Sequence, residues 1–168
     1  PAMLKLGVPV GLAVDGSASN DGSSLLEELR VAYLLHRLHS SEKAPSGYDC
    51  LKIAARGSAR VLGREDVGSL EPGKAGDLFL IRRDRLELVG ADLDVKSMLG
   101  TVGFKGPVDA TVVNGRVVVK DGRLTGVDEE KAVREARACV QAYLRACLKS
   151  FDKREGKADN KGKQAGDE

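Results

Sequence analysis

Apolar and polar positions change period along this chain, and each change marks an element. Residues 8–14 form an almost unbroken apolar run that includes Val8, Val10 and Val14. β-Branched residues without polar alternation predict a strand buried on both faces, as in a parallel α/β sheet. Leu25, Leu26, Leu29, Ala32, Tyr33, Leu35 and Leu38 then recur at helical spacing behind Ser23-Ser24, with Glu27 and Glu28 in the first turn. That pattern predicts a capped helix over residues 23–39. Ser, Pro and Gly make residues 40–47 a loop. Leu51, Ala54, Ala55, Ala59 and Leu62 form the stripe of a second helix over 49–62, ended by Gly63.

From Val67 the helical period is lost. Glu71-Pro72-Gly73-Lys74 reads as a β-turn ahead of a strand over 77–82, and residues 94–99 predict a short helix. Thr111-Val112-Val113-Asn114-Gly115-Arg116-Val117-Val118-Val119 is the strongest hairpin signal, because Asn-Gly supplies the two positive-φ positions of a type I′ turn. Asp121-Gly122 closes a further turn. Ala132, Val133, Ala136, Val140, Tyr143, Leu144 and Cys147 share one face of a helix predicted over 129–148. Beyond it, Lys, Asp, Glu and Gly leave almost nothing to bury, so residues 151–168 are expected to be a disordered charged tail.

These pieces group into residues 1–63, a strand-helix unit and a following helix; 64–127, strands and a hairpin; 128–150, a returning helix; and the tail. A lone βα unit cannot bury both faces of its strand, so the first group is expected to need parallel neighbours that this sequence does not contain. The chain begins with Pro1 rather than Met, as a start inside a longer reading frame would.

Composition narrows the class. With 168 residues, 42% of them apolar and no Trp, the chain reads as a soluble domain with an aliphatic core. A net charge of +2 from interspersed acids and bases argues against a nucleic-acid or membrane surface. Cys50, Cys139 and Cys147 form neither a disulfide framework nor a Cys-x-x-Cys pair, and are read as small buried hydrophobes in a reducing cytoplasm. No apolar run approaches a membrane span, and no secretory pattern opens the sequence.

Candidate chemistry centres on Asp15, which the apolar run delivers into the polar loop Gly16-Ser17-Ala18-Ser19-Asn20-Asp21. On spacing alone an acid there serves equally as a loop cap. Ser19 and Asn20 are candidates to position a substrate or brace Asp15, and are also ordinary residues of a loop entering a helix. His36 and His39 could pinch a metal at their three-residue spacing, but a helix C-terminus favours histidine through its dipole, and they are read as packed or solvated. Glu28 and Arg30 are read as part of a polar helix face or a salt bridge rather than of the site. Residues 68–76 lack the Gly-Lys-Ser/Thr ending and following helix of a phosphate loop.

Taken in order, several segments resemble one family. Val10-Gly11-Leu12-Ala13-Val14-Asp15-Gly16-Ser17-Ala18-Ser19-Asn20-Asp21 is similar to the eighth barrel strand and loop of the amidohydrolase superfamily. The similarity is to its branch of cyclic-amidine deaminases, which act on 8-oxoguanine and on triazines. Ala54-Ala55-Arg56-Gly57-Ser58-Ala59-Arg60-Val61-Leu62-Gly63, the turn at Glu71-Pro72-Gly73-Lys74 and the hairpin at Asn114-Gly115 resemble the helix, turn and small β domain that follow the barrel.

The resemblance implies a C-terminal fragment of a metal-dependent (β/α)₈ TIM barrel, plus strands of a small composite β-sandwich, with the active site at the C-terminal ends of the barrel strands. It implies one Zn²⁺, held by histidines of early and middle strands and by the last-strand aspartate. Asp15 is then metal ligand and catalytic carboxylate, taking a proton from metal-bound water and passing it to departing ammonia. Ser19 and Asn20 would bind the substrate, a small heterocycle. Neither nucleic acid nor membrane is an expected partner, and the full-length protein is expected to be a cytoplasmic homo-oligomer. The first-strand His-x-His pair and the fifth- and sixth-strand histidines have no counterpart here. Metal binding is therefore expected to be weak or absent in this chain, and the isolated chain to be inactive. The alternative from another class is a truncated remnant or interaction domain without enzymatic activity.

Overall fold

A short helix, α1 (Ala2–Lys5), leads through Gly7 into the apolar run, and there the structure departs from the expected strand. In this computed structural model, which describes residues 1–16, 19 and 22–164 with the side chains at 40, 41 and 150–164 excepted, residues 8–16 belong to no β-ladder, and Val8, Ala13 and Val14 are exposed. The reason is the one the pattern itself contains. A strand is defined by its partners, and a run built to be buried on both faces finds no parallel neighbour among the described residues.

Local signals fare better. The leucine-rich stripe forms α2 (Leu25–Ser40), with the Glu27 amide donating to Ser24 Oγ at 3.4 Å. A 3₁₀ turn, Ser41–Lys43, precedes α3 (Gly47–Lys52), which opens on a capping box between Ser46 and Asp49. The helix predicted over 49–62 continues, but it widens into a π turn over Ile53–Gly57 before ending as α4 (Ser58–Val61). Leu29, Cys50, Ala59, Leu88, Met98 and Phe104 form the buried core of this part, where α2 and α3 pack on α5 (Met98–Val102). Burial pushes the Cys50 thiol above its ordinary pKa, so it stays neutral. The short helix predicted over 94–99 starts later than expected. Asp94 Oδ1 accepts from the Ser97 amide at 3.2 Å and ends a 3₁₀ turn, Ala91–Asp94, before α5 begins.

One antiparallel sheet runs β1 (Leu78–Leu80), β2 (Ala110–Val113), β3 (Arg116–Lys120), β4 (Arg123–Leu124), in that order. Its two tight turns are the predicted ones. Asn114 and Gly115 have φ of 48° and 75°, and Asp121 and Gly122 of 51° and 75°, the positive values that type I′ turns demand. Thr111 faces Val119 while Val112 faces Val117, so β3 carries a bulge at Val118. The Asn114 amide donates to Asp77 Oδ1 at 2.6 Å and the Gly115 amide to the Gly76 carbonyl at 3.0 Å, tying the hairpin tip to the start of β1.

The chain divides into two compact units, Pro1–Thr125 and Gly126–Glu168. The second consists of α6 (Glu129–Gln164), capped by Asp128, whose Oδ1 accepts from the Lys131 amide. Its start agrees with the periodicity, but it runs on through residues expected to be disordered. Helix extension adds one hydrogen bond per residue without a new nucleation cost, and no proline follows Pro107 to stop it. Residues 165–168 lie outside the described residues. The apolar stripe of α6 is largely exposed, and with it Cys139, which corrects the expectation that all three cysteines are buried. Among the described residues no helix is long and apolar enough to cross a membrane.

Candidate active site

Asp15 stands exposed at the end of the apolar run. Its Oδ1 accepts from the Gly16 amide at 2.7 Å, so the loop fixes one carboxylate oxygen from its own backbone. The Gly16 carbonyl accepts in turn from the Ser19 amide at 2.8 Å, folding the chain back just after the acid. Ser19 is thus placed on the same turn as Asp15 with its side chain exposed, and Asn20 lies outside the described residues.

What holds the acid-bearing segment is a contact 46 residues away in sequence. The Leu12 amide donates to Ser58 Oγ at 3.1 Å, and the Ser58 hydroxyl lies 3.1 Å from the Leu12 carbonyl, which it donates to. A helix side chain thereby satisfies both backbone groups of one residue, as a neighbouring strand would. The approach is possible because two glycines meet there. A Cβ on Gly57 would sit 2.1 Å from the Val10 carbonyl oxygen, and one on Gly11 would sit 2.9 Å from Ser58 Cα. Sequence reasoning does not point to Ser58. The one local signal is the small-residue character of Ala54-Ala55-Arg56-Gly57-Ser58-Ala59, which permits a close backbone approach without naming its partner.

The two histidines are not brought to Asp15. His36 Nδ1 donates to the Ala32 carbonyl at 2.7 Å, one turn back on α2, and its ring lines an apolar cavity of about 390 Å³ with Leu12 and Cys50. His39 is exposed near the end of α2. Among the described residues no group of three or more His, Cys, Asp and Glu side chains is placed to hold a metal ion. A catalytic zinc takes three protein ligands. Asp15 supplies at most one of them, so the residues present do not fit a complete zinc centre. Beyond the Asp15 loop, Gly22, Glu28, Arg30 and Phe104 line a cavity of about 730 Å³, within the range of small-molecule sites. Glu28 and Arg30, read from sequence as a polar helix face, form part of its wall.

The amidohydrolase family profile matches residues 1–118. Hydroxydechloroatrazine ethylaminohydrolase of Pseudomonas sp. (strain ADP) is 48% identical over 139 residues, covering 81% of this chain and 29% of the relative. The 8-oxoguanine deaminase of Pseudomonas aeruginosa is 38% identical over 138 residues, covering 82% of this chain and 30% of the relative. Among solved structures, atrazine chlorohydrolase from Arthrobacter aurescens TC1, complexed with zinc, superposes with a TM-score of 0.71 at 38% identity, over 80% of this chain and 30% of that one. The chain thus spans about 30% of the length of the curated relatives it matches.

Proposed function

This chain belongs to the amidohydrolase family, and from that premise we propose that it supplies the last strand, catalytic loop and small β domain of a metal-dependent hydrolase that deaminates a purine- or triazine-like ring. The observation that carries the reading is Asp15. It ends the apolar run inside the family-matched region, exposed, with Oδ1 steadied by the Gly16 amide. In this proposal residues 8–14 are the eighth strand of a (β/α)₈ barrel, residues 64–127 belong to a composite β-sandwich, and the helix over 128–150 packs back on the barrel.

Deamination of a cyclic amidine needs one group that accepts a proton from the attacking water and returns it to the departing nitrogen. A carboxylate whose second oxygen has no partner among the described residues, while the first is held by a backbone amide, suits the task. Ser19, on the same turn, is placed in the proposal to contact the ring, and Asn20 with it. A catalytic zinc takes three protein ligands, and among the described residues no group of three or more His, Cys, Asp and Glu side chains is placed to hold one. The chain by itself is therefore proposed to be inactive, and Asp15 to work only with the missing strands.

The test is a chimera. Residues 1–168 are fused behind the N-terminal portion of hydroxydechloroatrazine ethylaminohydrolase that they do not match, and release of the amine product or of ammonia is assayed on triazine and 8-oxoguanine substrates. The folded chimera is expected to turn over, Asp15→Asn to lower kcat by about 100-fold or more, and residues 1–168 alone to show no turnover. Activity of the isolated chain, or a chimera indifferent to Asp15→Asn, would overturn the reading.

A further inference from the structure

At the end of the apolar run opposite Asp15, a cavity of about 560 Å³ opens between α1, the 3₁₀ turn Ser41–Lys43 and the helix that runs from α3 to α4. It is lined along the run only as far as Val10, and none of Asp15, Gly16 and Ser19 lines it, so this is a separate place from the candidate active site. Val8, Pro9 and Ile53 give the cavity an apolar floor. Its walls carry Lys5, Lys43, Lys52, Arg56 and Arg60 against a single carboxylate, Asp49.

That carboxylate is already committed. Asp49 accepts from the Ser46 amide at 3.1 Å and the Ser46 hydroxyl at 2.7 Å, and pairs with Lys52 Nζ at 2.7 Å. Arg56 reaches outward to Glu71 at 3.6 Å, but Glu71 is shared with Lys74 at 3.7 Å. Among the described residues Lys5, Lys43 and Arg60 have no carboxylate partner. Lys52, Arg56 and Arg60 stand four residues apart on one continuous helix and all line the same cavity. Like charges at that spacing oppose the helix that carries them. In a chain with a net charge of only +2, this concentration of cations on one concave, partly apolar surface is a local segregation that the overall composition hides.

An anion resolves the repulsion, and its chemistry follows from the donors. Two guanidinium forks and the free ammonium of Lys43 match the tetrahedral, multiply charged oxygen array of a phosphoryl group better than a single planar carboxylate. We propose that this cavity binds the phosphoryl group of a small compound, held by Lys43, Arg56 and Arg60, with any organic part resting on Val8, Pro9 and Ile53. The inference does not rest on Asp15.

The test is calorimetric titration of residues 1–168, in phosphate-free buffer at low salt, with inorganic pyrophosphate, adenosine monophosphate and adenosine. Both phosphates are expected to bind and adenosine to fail. Tighter binding of the monophosphate assigns the source to an organic phosphate, and tighter binding of pyrophosphate assigns it to the free inorganic ion. Lys43→Gln and Arg60→Gln, both exposed positions whose far-UV circular dichroism should match the parent, are each expected to weaken binding by about tenfold. Lys120→Gln, on β3, is expected to leave it unchanged. Absence of phosphate binding, equal binding of adenosine, or an equal loss in Lys120→Gln would overturn the proposal.

Discussion

Ser58 is half-buried, and its Oγ lies 3.1 Å from both the amide nitrogen and the carbonyl oxygen of Leu12, three residues before Asp15. Replacing it by alanine removes one hydroxyl but strands two backbone groups, and a part-buried polar group left without a partner costs about 1–3 kcal/mol. Ser58→Ala is accordingly expected to lower the urea midpoint by an amount in that range, and to speed hydrogen exchange of the Leu12 amide well beyond that of its neighbours. A Leu12 amide that exchanges no faster in the variant would refute the role given to the hydroxyl. The position of Asp15, where the apolar run gives way to a loop, is legible in the sequence because that setting is local. Ser58 is not, because its partner is 46 residues away and nothing in its own surroundings announces it.

At the scale of elements, the start of α3 couples helix geometry to charge. Ser46 Oγ accepts from the Asp49 amide at 3.1 Å while Asp49 accepts from the Ser46 amide, and Lys52 closes on the same carboxylate one turn along. The hydrogen bond from Lys52, then those from Ser46, hold the Asp49 carboxyl at a pKa of about 2, below its usual 3.8. A folded-state pKa below the unfolded one means the contribution to stability is complete above about pH 4 and is lost as the pH falls toward 2. Because the side chain is 43% exposed, solvent screening limits this contribution to below about 1 kcal/mol. The difference in urea midpoint between the parent and Asp49→Asn is therefore expected to shrink between pH 4 and pH 2, and to narrow with added salt. A difference that stays constant across that interval would show that the cap works without its charge.

The same scale separates what is readable from what is not. The hairpin turns and α2 depend on neighbours in sequence, so an Asn-Gly pair and a leucine stripe suffice to predict them. The run over 8–14 carries the composition of a strand, but a ladder is made by a partner, and composition cannot supply one. The π turn over Ile53–Gly57 answers to packing, where a glycine must lie against the Val10 carbonyl. The length of α6 escapes the pattern because lack of apolar surface argues against burial, not against helix.

For the molecule as a whole, the informative quantity is the apolar surface left in water. Within one short stretch Leu88 is fully buried, whereas Leu86 and Leu93 are 89% and 92% exposed, and Leu6 is 81% exposed beside the unpaired apolar run. Burying a leucine side chain is worth about 1.5–3 kcal/mol, so a contact that covers a few of these residues competes with the entropy of association. Exposed apolar surface of this kind has the character of an interface. Three-residue β1 is too short an edge to drive sheet-to-sheet stacking by itself, which leaves the leucines as the main source of adhesion. Sedimentation velocity of residues 1–168 is expected to show association that grows with concentration, and Leu86→Glu with Leu93→Glu to shift the distribution toward monomer while the urea midpoint holds, since neither side chain contributes to the core. A parent that sediments as a monomer at all concentrations would mean that these leucines are tolerated as surface. A double variant that still associates would place the adhesive surface elsewhere, with the apolar run and Leu6 the next to be charged.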